Sequence, residues 1–341
     1  MNQPGKICCF GEMLLRFSPA ANGAWLHTNQ LAVFPGGAEL NVATALANWQ
    51  LPVDYCTVLP DNAIAQDILQ YLRQHSIGTN SVCLAGDRIG TYYLPQGADL
   101  KNAGVIYDRA GSSFAGLKTG QLNWDNILEG CNWFHFTAIS PALNEHTAAV
   151  CLEAVTAAKQ KGITVSVDLN YRAKLWKYGK APVEVMLALV QHCDVIMGNS
   201  WAAEQLLGIP SPLADSKGAT AAELEAAAKN SISLLRKQYP AAHTIAYTFR
   251  LDEIYFAVLN NHEKLVTSAI YPLNEVTDKA GSGDCFMAGI IYGLQKKQSD
   301  DQVVNFAASA AVGKMKEKGD ATRQTVEDIN KIFQHVWIAK N

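Results

Sequence analysis

Apolar and polar positions along this chain alternate in two rhythms. From residue 132 onward, apolar runs of strand length exchange with longer segments of helical period. Trp133 to Thr137, Ile163 to Leu169, Cys193 to Met197 and His243 to Phe249 read as strands, and Ile254 to Leu259 pairs with the last of these. Between them, Asn144 to Lys161, Val183 to His192, Trp201 to Leu207 and Ala221 to Tyr239 read as helices, and Pro210 to Thr220 as a loop. The same exchange occurs near the start. A strand, Lys6 to Phe17, runs past Gly11-Glu12, and a helix, Ala38 to Trp49, sets Leu40, Ala43, Leu46 and Ala47 on one face. The strand Val53 to Leu59 and the helix Asp61 to His75, opened by an aspartate cap, follow. After a strand at Lys264 to Ile270 come a buried helix from Cys285 to Leu294 and two more helices, Asp301 to Lys318 and Thr325 to Val336. Strands that alternate with helices predict an α/β fold around a mainly parallel sheet.

One region breaks the rhythm. Ser81 to Leu84, Gly90 to Leu94 and Val105 to Arg109 are β-like runs with no helix between them. With Met13 to Phe34 they predict a small sheet projecting from the main body. Arg88, Tyr92, Tyr93, Tyr107 and Arg109 lie on it. Aromatics alternating on a strand can cover a core face, but two arginines among them also suit a site that grips an anionic or polyhydroxylated ligand.

Composition narrows the classes. The chain has 341 residues and a formal net charge of -3, enough for a large core and without the basic excess that nucleic acid or an acidic membrane would require. The polar start, Met1 to Gly5, has no signal-peptide pattern, and no run reaches transmembrane length. The 8 cysteines lack metal or redox spacing, so reduced, buried thiols in a cytoplasmic protein are expected. His135, in a strand, reads as structural.

The chemistry concentrates at Gly281-Ser282-Gly283-Asp284, at the start of the buried helix. Glycines permit tight turns, and the first amides of a helix lack internal partners and carry the positive end of its dipole. The stretch is either a helix-capping turn or an anion site with a carboxylate inside it. The carboxylate is consistent with an anion site if it faces a neutral hydroxyl that attacks a phosphate, and its place at the helix start predicts that it stays ionised. Asn41, one turn past Pro35-Gly36-Gly37, is either a helix-start residue or a ligand for a hydroxyl. Asp168, Asn170 and Arg172 follow a buried strand at alternate positions, where open α/β sheets bind ligands.

Two of these stretches together resemble the signatures of the ribokinase-like (phosphofructokinase B type) carbohydrate kinases. Gly36-Gly37-Ala38-Glu39-Leu40-Asn41 is similar to the N-terminal signature and Asp278 to Asp284 to the C-terminal one. Gly11 to Arg16, Val105 to Ala110 with Ser112-Ser113, and Asp168 to Trp176 are most similar to 2-keto-3-deoxygluconate kinases. The resemblance implies a three-layer α/β/α sandwich in a single domain over 1–341, with lid strands at about 12–35 and 88–110. It implies ATP and Mg2+ as cofactors and phosphorylation of a primary hydroxyl on a 2-keto-3-deoxy sugar acid. The implied sugar site is Gly36, Gly37, Asn41, Tyr92, Tyr107, Arg109, Asn170, Arg172 and Asp284, with Arg109 first choice for the carboxylate and Arg172 serving that group or the phosphate. Asp284 is implied as the base, the amides of Gly281, Ser282 and Gly283 as the holders of the phosphoryl charge, and Asn199, Asp278, Gly281, Gly283 and Gly319 as the nucleotide side, with Asp320 at its border. The magnesium is implied to be held through water, with no direct protein ligand. The lid edge implies a homodimer.

Three positions depart from the family pattern. Ala202 stands where an Asn-x-x-Glu glutamate is expected after Asn199, with Glu204 two residues on. Lys279 lies inside the C-terminal signature, and the segment from Phe249 to Tyr255 is short. Other readings are a fructokinase acting on a neutral sugar and a non-catalytic sugar-acid sensor, the latter resting on Ala202. A dinucleotide-binding dehydrogenase fails, because no Gly-x-Gly-x-x-Gly follows the first strand.

Overall fold

Ile7 and Cys9 pack into one hydrophobic layer while Cys8 and Phe10 pack into another, so the first strand is buried on both faces, as a central parallel strand must be. The computed structural model describes residues 5–19, 24–26, 29–95, 104–213, 218–262 and 264–338. The chain begins β1 (Lys6–Phe10), β2 (Leu14–Ser18), β3 (Ala32–Gly36), α1 (Ala38–Asn48), β4 (Val53–Leu59), α2 (Ala63–Gln74), β5 (Val82–Leu84), β6 (Gly90–Tyr93) and β7 (Ile106–Asp108). It continues α3 (Trp124–Ile127), β8 (Cys131–Thr137), α4 (Glu145–Gln160), β9 (Thr164–Asp168), α5 (Pro182–Val190), β10 (Val195–Gly198), α6 (Ser200–Leu207) and α7 (Ala221–Gln238). Last come β11 (Thr244–Arg250), β12 (Ile254–Asn261), β13 (Lys264–Thr267), β14 (Tyr271–Pro272), α8 (Ser282–Gln295), α9 (Asp300–Lys314) and α10 (Val326–Ile338).

The large sheet has the order β13-β12-β11-β10-β9-β8-β1-β4-β5, with β14 beside β12. It is parallel from β5 to β11 and antiparallel at the β11–β12–β13 edge. One face is covered by α1, α2, α8, α9 and α10, and the other by α3 to α7. After β1 the chain builds outward through β4 and β5, then returns to the far side of β1 with β8. Such a reversal of strand order opens a crevice at the C-terminal strand ends. The small residues of α9 let α8 approach closely: a Cβ on Gly289 would come within 2.5 Å of Ala307 Cα.

A separate sheet, β3-β2-β6-β7, confirms the small sheet read from the meander, with three corrections to the expected elements. The strand expected over Lys6 to Phe17 is two strands in two sheets, because Gly11 backs onto the Glu39 carboxylate, where a Cβ would meet Oε2 at 2.2 Å, and the chain must turn away. β5 joins the large sheet beside β4, not the small one. The helix expected from Asp61 is capped by Asn62, whose Oδ1 accepts from the Ala65 amide at 3.0 Å. Residues 1–4 of the polar start, 214–217 of the expected loop, and 20–23, 27–28 and 96–103 in the two lid segments lie outside the described residues. No described helix is long and apolar enough to cross a membrane, and all eight cysteines are free.

The two sheets are joined by a buried charge. Arg16 on β2 is fully buried, and its Nη1 donates to Asp278 Oδ2 at 2.9 Å and to Asp320 Oδ1 at 2.7 Å. Its guanidinium also lies over the Phe34 ring of β3. Removing one partner of a buried ion pair strands the other in a low dielectric. Arg16→Met should therefore lower the unfolding free energy by about 3–5 kcal/mol in urea titrations. Adding Asp278→Asn and Asp320→Asn should recover part of the loss. Equal unfolding midpoints for the parent and Arg16→Met would contradict the role of this tie.

Candidate active site

The C-terminal ends of β1, β8, β9, β10 and β11 open into one cavity, lined from the large sheet by Glu12, Ile139, Asp168 to Arg172, Met197 to Asn199, Thr248 and Arg250. The small sheet and the loop after it add Leu14, Tyr92, Tyr107 and Arg109. The starts of α1 and α8 close it with Gly37 to Glu39, Asn41, Lys279 and Gly281 to Asp284.

At the α8 end, Gly281 takes φ 75°, and a Cβ there would lie 1.8 Å from the Asp320 carbonyl oxygen, so only glycine fits. The helix has no side-chain N-cap; its Ser282 amide makes one long bond to Lys279 O at 3.4 Å, and the amides that follow are left for another acceptor. Ser282 Oγ donates to Lys279 O at 2.9 Å and thereby fixes the turn. Asp284, in the first helical turn, accepts from Asn41 Nδ2 through its Oδ2 at 2.7 Å. This bond joins residues from opposite ends of the chain. Asn41 itself is placed by Gly37, whose φ of 127° turns the backbone against Glu12 into α1. Asn41 lines the cavity, and its Oδ1 is buried with no hydrogen-bond partner among the described residues, which leaves an acceptor unused.

Asp284, expected from its place at the helix start to stay ionised at neutral pH, titrates below neutrality but above the ordinary carboxylate value. Burial pushes it up to about 6, while the Asn41 bond and the Arg172 charge pull it down. Glu39, in the same cavity wall, is raised to about 7 by burial, although the Thr137 amide and hydroxyl donate to its Oε1 at 3.0 and 2.7 Å.

At the small-sheet end, Arg109 Nε donates to Glu12 Oε2 at 2.6 Å, and the Ser112 hydroxyl donates to Glu12 Oε1. Tyr92 donates to Asp320, the carboxylate that also accepts from Arg16. Arg88 is not part of the site: it is exposed and pairs with Asp108. Tyr93 stacks on Phe17 instead.

The predicted residues fall in two tiers. Gly37, Asn41, Tyr92, Tyr107, Arg109, Asn170, Arg172, Asn199, Gly281, Ser282, Gly283 and Asp284 line the cavity. Gly36, Asp278 and Gly319 do not. Gly36 backs onto Tyr92 and Asp320, Asp278 is fully buried against Arg16, and Gly319, with φ 87°, packs on Phe34. Asn199 caps α6, its Oδ1 accepting from the Ala202 amide at 2.8 Å. Ala202 lines the cavity, whereas Glu204 is exposed on regular α6 and does not replace the missing glutamate. Lys279 also lines the wall. Glu12, Glu39, Arg250, Tyr255 and Trp201 are further lining residues. Of these, Glu12 and Glu39 lay inside the two stretches of family resemblance, and a buried acid there was a usable signal. The uncapped α8 amides with Arg172, Arg250 and Lys279 suit a polyanion. Among the described residues no group of three or more His, Cys, Asp and Glu side chains suits a metal ion.

A model described as pfkB family carbohydrate kinase matches residues 4–326. The chain is similar to a 2-dehydro-3-deoxygalactonokinase of Haloferax volcanii, with 26% identity over 329 residues and 96% of each chain covered. It is also similar to the solved 2-dehydro-3-deoxygluconokinase of Thermotoga maritima, with a TM-score of 0.88, 31% identity, and 97% of this chain and 99% of that one covered. A fructokinase-1 of Oryza sativa subsp. japonica is 28% identical over 207 residues, which span 60% of this chain and 63% of that protein.

The raised Asp284 gives a test in stability alone. Its folded value of about 6 exceeds the ordinary 3.8, so the folded state binds the proton more tightly than the unfolded state. The stability this contributes is full below the unfolded value and is lost as pH rises through about 6. Asp284→Asn cannot ionise and still offers an acceptor to Asn41. It should exceed the parent in unfolding free energy by about 1–3 kcal/mol at pH 8, and the gap should shrink as pH falls below 6. Parallel stability–pH curves would contradict the raised value.

Proposed function

The chain belongs to the pfkB family of carbohydrate kinases, and from that footing we propose ATP-dependent transfer of the γ-phosphate to a primary hydroxyl of a 2-keto-3-deoxy sugar acid, namely 2-keto-3-deoxygluconate to its 6-phosphate. The observation that carries this reading is the Asn41–Asp284 bond in a cavity with a helix N-terminus at one end and Arg109 at the other. Both full-length relatives named above act on 2-dehydro-3-deoxy sugars.

Phosphoryl transfer asks the protein for alignment and charge rather than covalent chemistry. Asp284 accepts the proton of the attacking hydroxyl, and Asn41 holds its carboxylate in line. The amides of Gly281, Ser282 and Gly283 hold the charge that develops on the phosphoryl oxygens, each such donor being worth on the order of 10²–10³ in rate. Asn41, Asn170, Tyr92 and Tyr107 address the sugar hydroxyls, and Gly36 and Gly37 shape the wall behind them. Arg109, oriented by Glu12 through Nε, offers its terminal nitrogens to the substrate carboxylate, and Arg172 serves that group or the phosphate. Asn199 stands beside the nucleotide phosphates, with Asp278 and Gly319 supporting that wall from behind. Magnesium would supply neutralisation of the phosphate charge when bound, and its preference for oxygen ligands suits the nucleotide phosphates and water.

On the same reading, residues 1–341 form one kinase domain, and segments at about 12–35 and 88–110 are a lid that excludes water during transfer. The exposed Val33 and Ile106 on the small sheet's edge strands favour a homodimer through that lid. The free cysteines favour a cytoplasmic setting. A neutral-sugar kinase is the second reading, supported by the rice fructokinase likeness.

A coupled ADP-release assay with 2-keto-3-deoxygluconate and fructose side by side tests the proposal. The sugar acid should be the better substrate. Arg109→Ala should lower kcat/KM for the acid by about 10–100-fold, the worth of a lost charge-assisted contact, with a much smaller effect on any fructose turnover. Preference for fructose, or equal losses on both, would overturn the sugar-acid assignment.

A further inference from the structure

β11 ends and β12 begins at the mouth of the cavity, joined by a three-residue turn closed by the Leu251 amide donating to Ile254 O at 2.9 Å. Across this antiparallel ladder Arg250 lies directly opposite Tyr255. The next pair inward, Phe249 and Phe256, stacks in the core at 4.6 Å and fixes the register. Both Arg250 and Tyr255 line the cavity. Arg250 Nη1 reaches to 3.5 Å from Ser282 Oγ, at the first residue of α8. Tyr255 is 3% exposed, and its hydroxyl has no hydrogen-bond partner among the described residues. A buried phenol without a partner costs stability unless a ligand or water meets it. The pair thus sets a planar guanidinium fork and a hydroxyl donor beside the uncapped amides of α8 on a rigid ladder.

We propose that Arg250 and Tyr255 form a phosphate-recognition element for the nucleotide's polyphosphate chain, extending the amide cradle of α8 toward the β11–β12 turn. This rests on the kinase reading above for the presence of a nucleotide. Arg250 offers paired N–H donors to phosphate oxygens, a geometry that lysine cannot copy, and Tyr255 adds one neutral donor. The element would supply nucleotide affinity from the ladder in a chain where Ala202 contributes no carboxylate to the opposite wall.

Calorimetric titration of ATP and of adenosine, in magnesium-containing buffer, into the parent, Arg250→Gln, Arg250→Lys and Tyr255→Phe proteins tests it. Arg250→Gln should weaken ATP about 10–100-fold and leave adenosine unchanged. Arg250→Lys should recover part of that loss, and Tyr255→Phe should weaken ATP several-fold. In turnover, KM for ATP should rise while KM for the sugar stays near the parent value. Unchanged ATP affinity in Arg250→Gln, or equal weakening of ATP and adenosine, would overturn the proposal. A parent that binds ATP but phosphorylates no sugar would overturn the kinase reading alone, while the variant series would still decide this one. A parent that binds no ATP would overturn both.

Discussion

A single buried guanidinium holds this site together. Arg16 leaves the small sheet and enters the body fully buried, meeting Asp278 at the start of the glycine-rich stretch and Asp320 after α9. Burial alone would depress its charge, but Asp320 and Asp278 hold it raised. Tyr92, on the neighbouring strand β6, donates to the same Asp320. The backbone of Asp320 in turn lies against Gly281 so closely that no side chain fits there. Small sheet, the loop after α9 and the start of α8 are therefore registered through one residue, Asp320. A buried ion pair is weak evidence for stability, because hydrophobic substitutes often serve as well. Its worth here is geometric: any shift of β2 is felt at Gly281.

The cavity wall carries charges of both signs. Glu12 is bonded to Arg109, and Glu39 is held by Thr137. Arg250 and Lys279 flank the helix start. Asp284 lines the same cavity, and burial moves it toward neutral pH, a shift that suits the general base proposed above.

Much of this was legible in the chain itself. Gly281 to Asp284 announced a helix start, since small residues stand before a wholly apolar run. The alternation after residue 132 gave the parallel strands and their covering helices. What sequence periodicity could not carry was long-range pairing. Nothing local distinguishes one strand over Lys6 to Phe17 from two in different sheets, because the break depends on Glu39 lying behind Gly11. The β-like run ending at Leu84 pairs with β4 rather than with the small sheet, a choice made by partners distant in sequence. Arg109, expected to meet the carboxylate of a sugar acid, has its Nε engaged by Glu12 within the protein. Asp278, expected at the nucleotide, is committed to Arg16, which lies 262 residues away. Each of these depends on a partner that spacing along the chain does not reveal.

The central claim is that Asp284, held by Asn41, takes the hydroxyl proton. The most direct measurement is the turnover of Asp284→Asn beside its calorimetric affinity for 2-keto-3-deoxygluconate. The account predicts that turnover falls by about 10²–10⁴-fold, the usual worth of a general base, while sugar affinity stays within a few-fold of the parent. Near-parent turnover in this variant would contradict it.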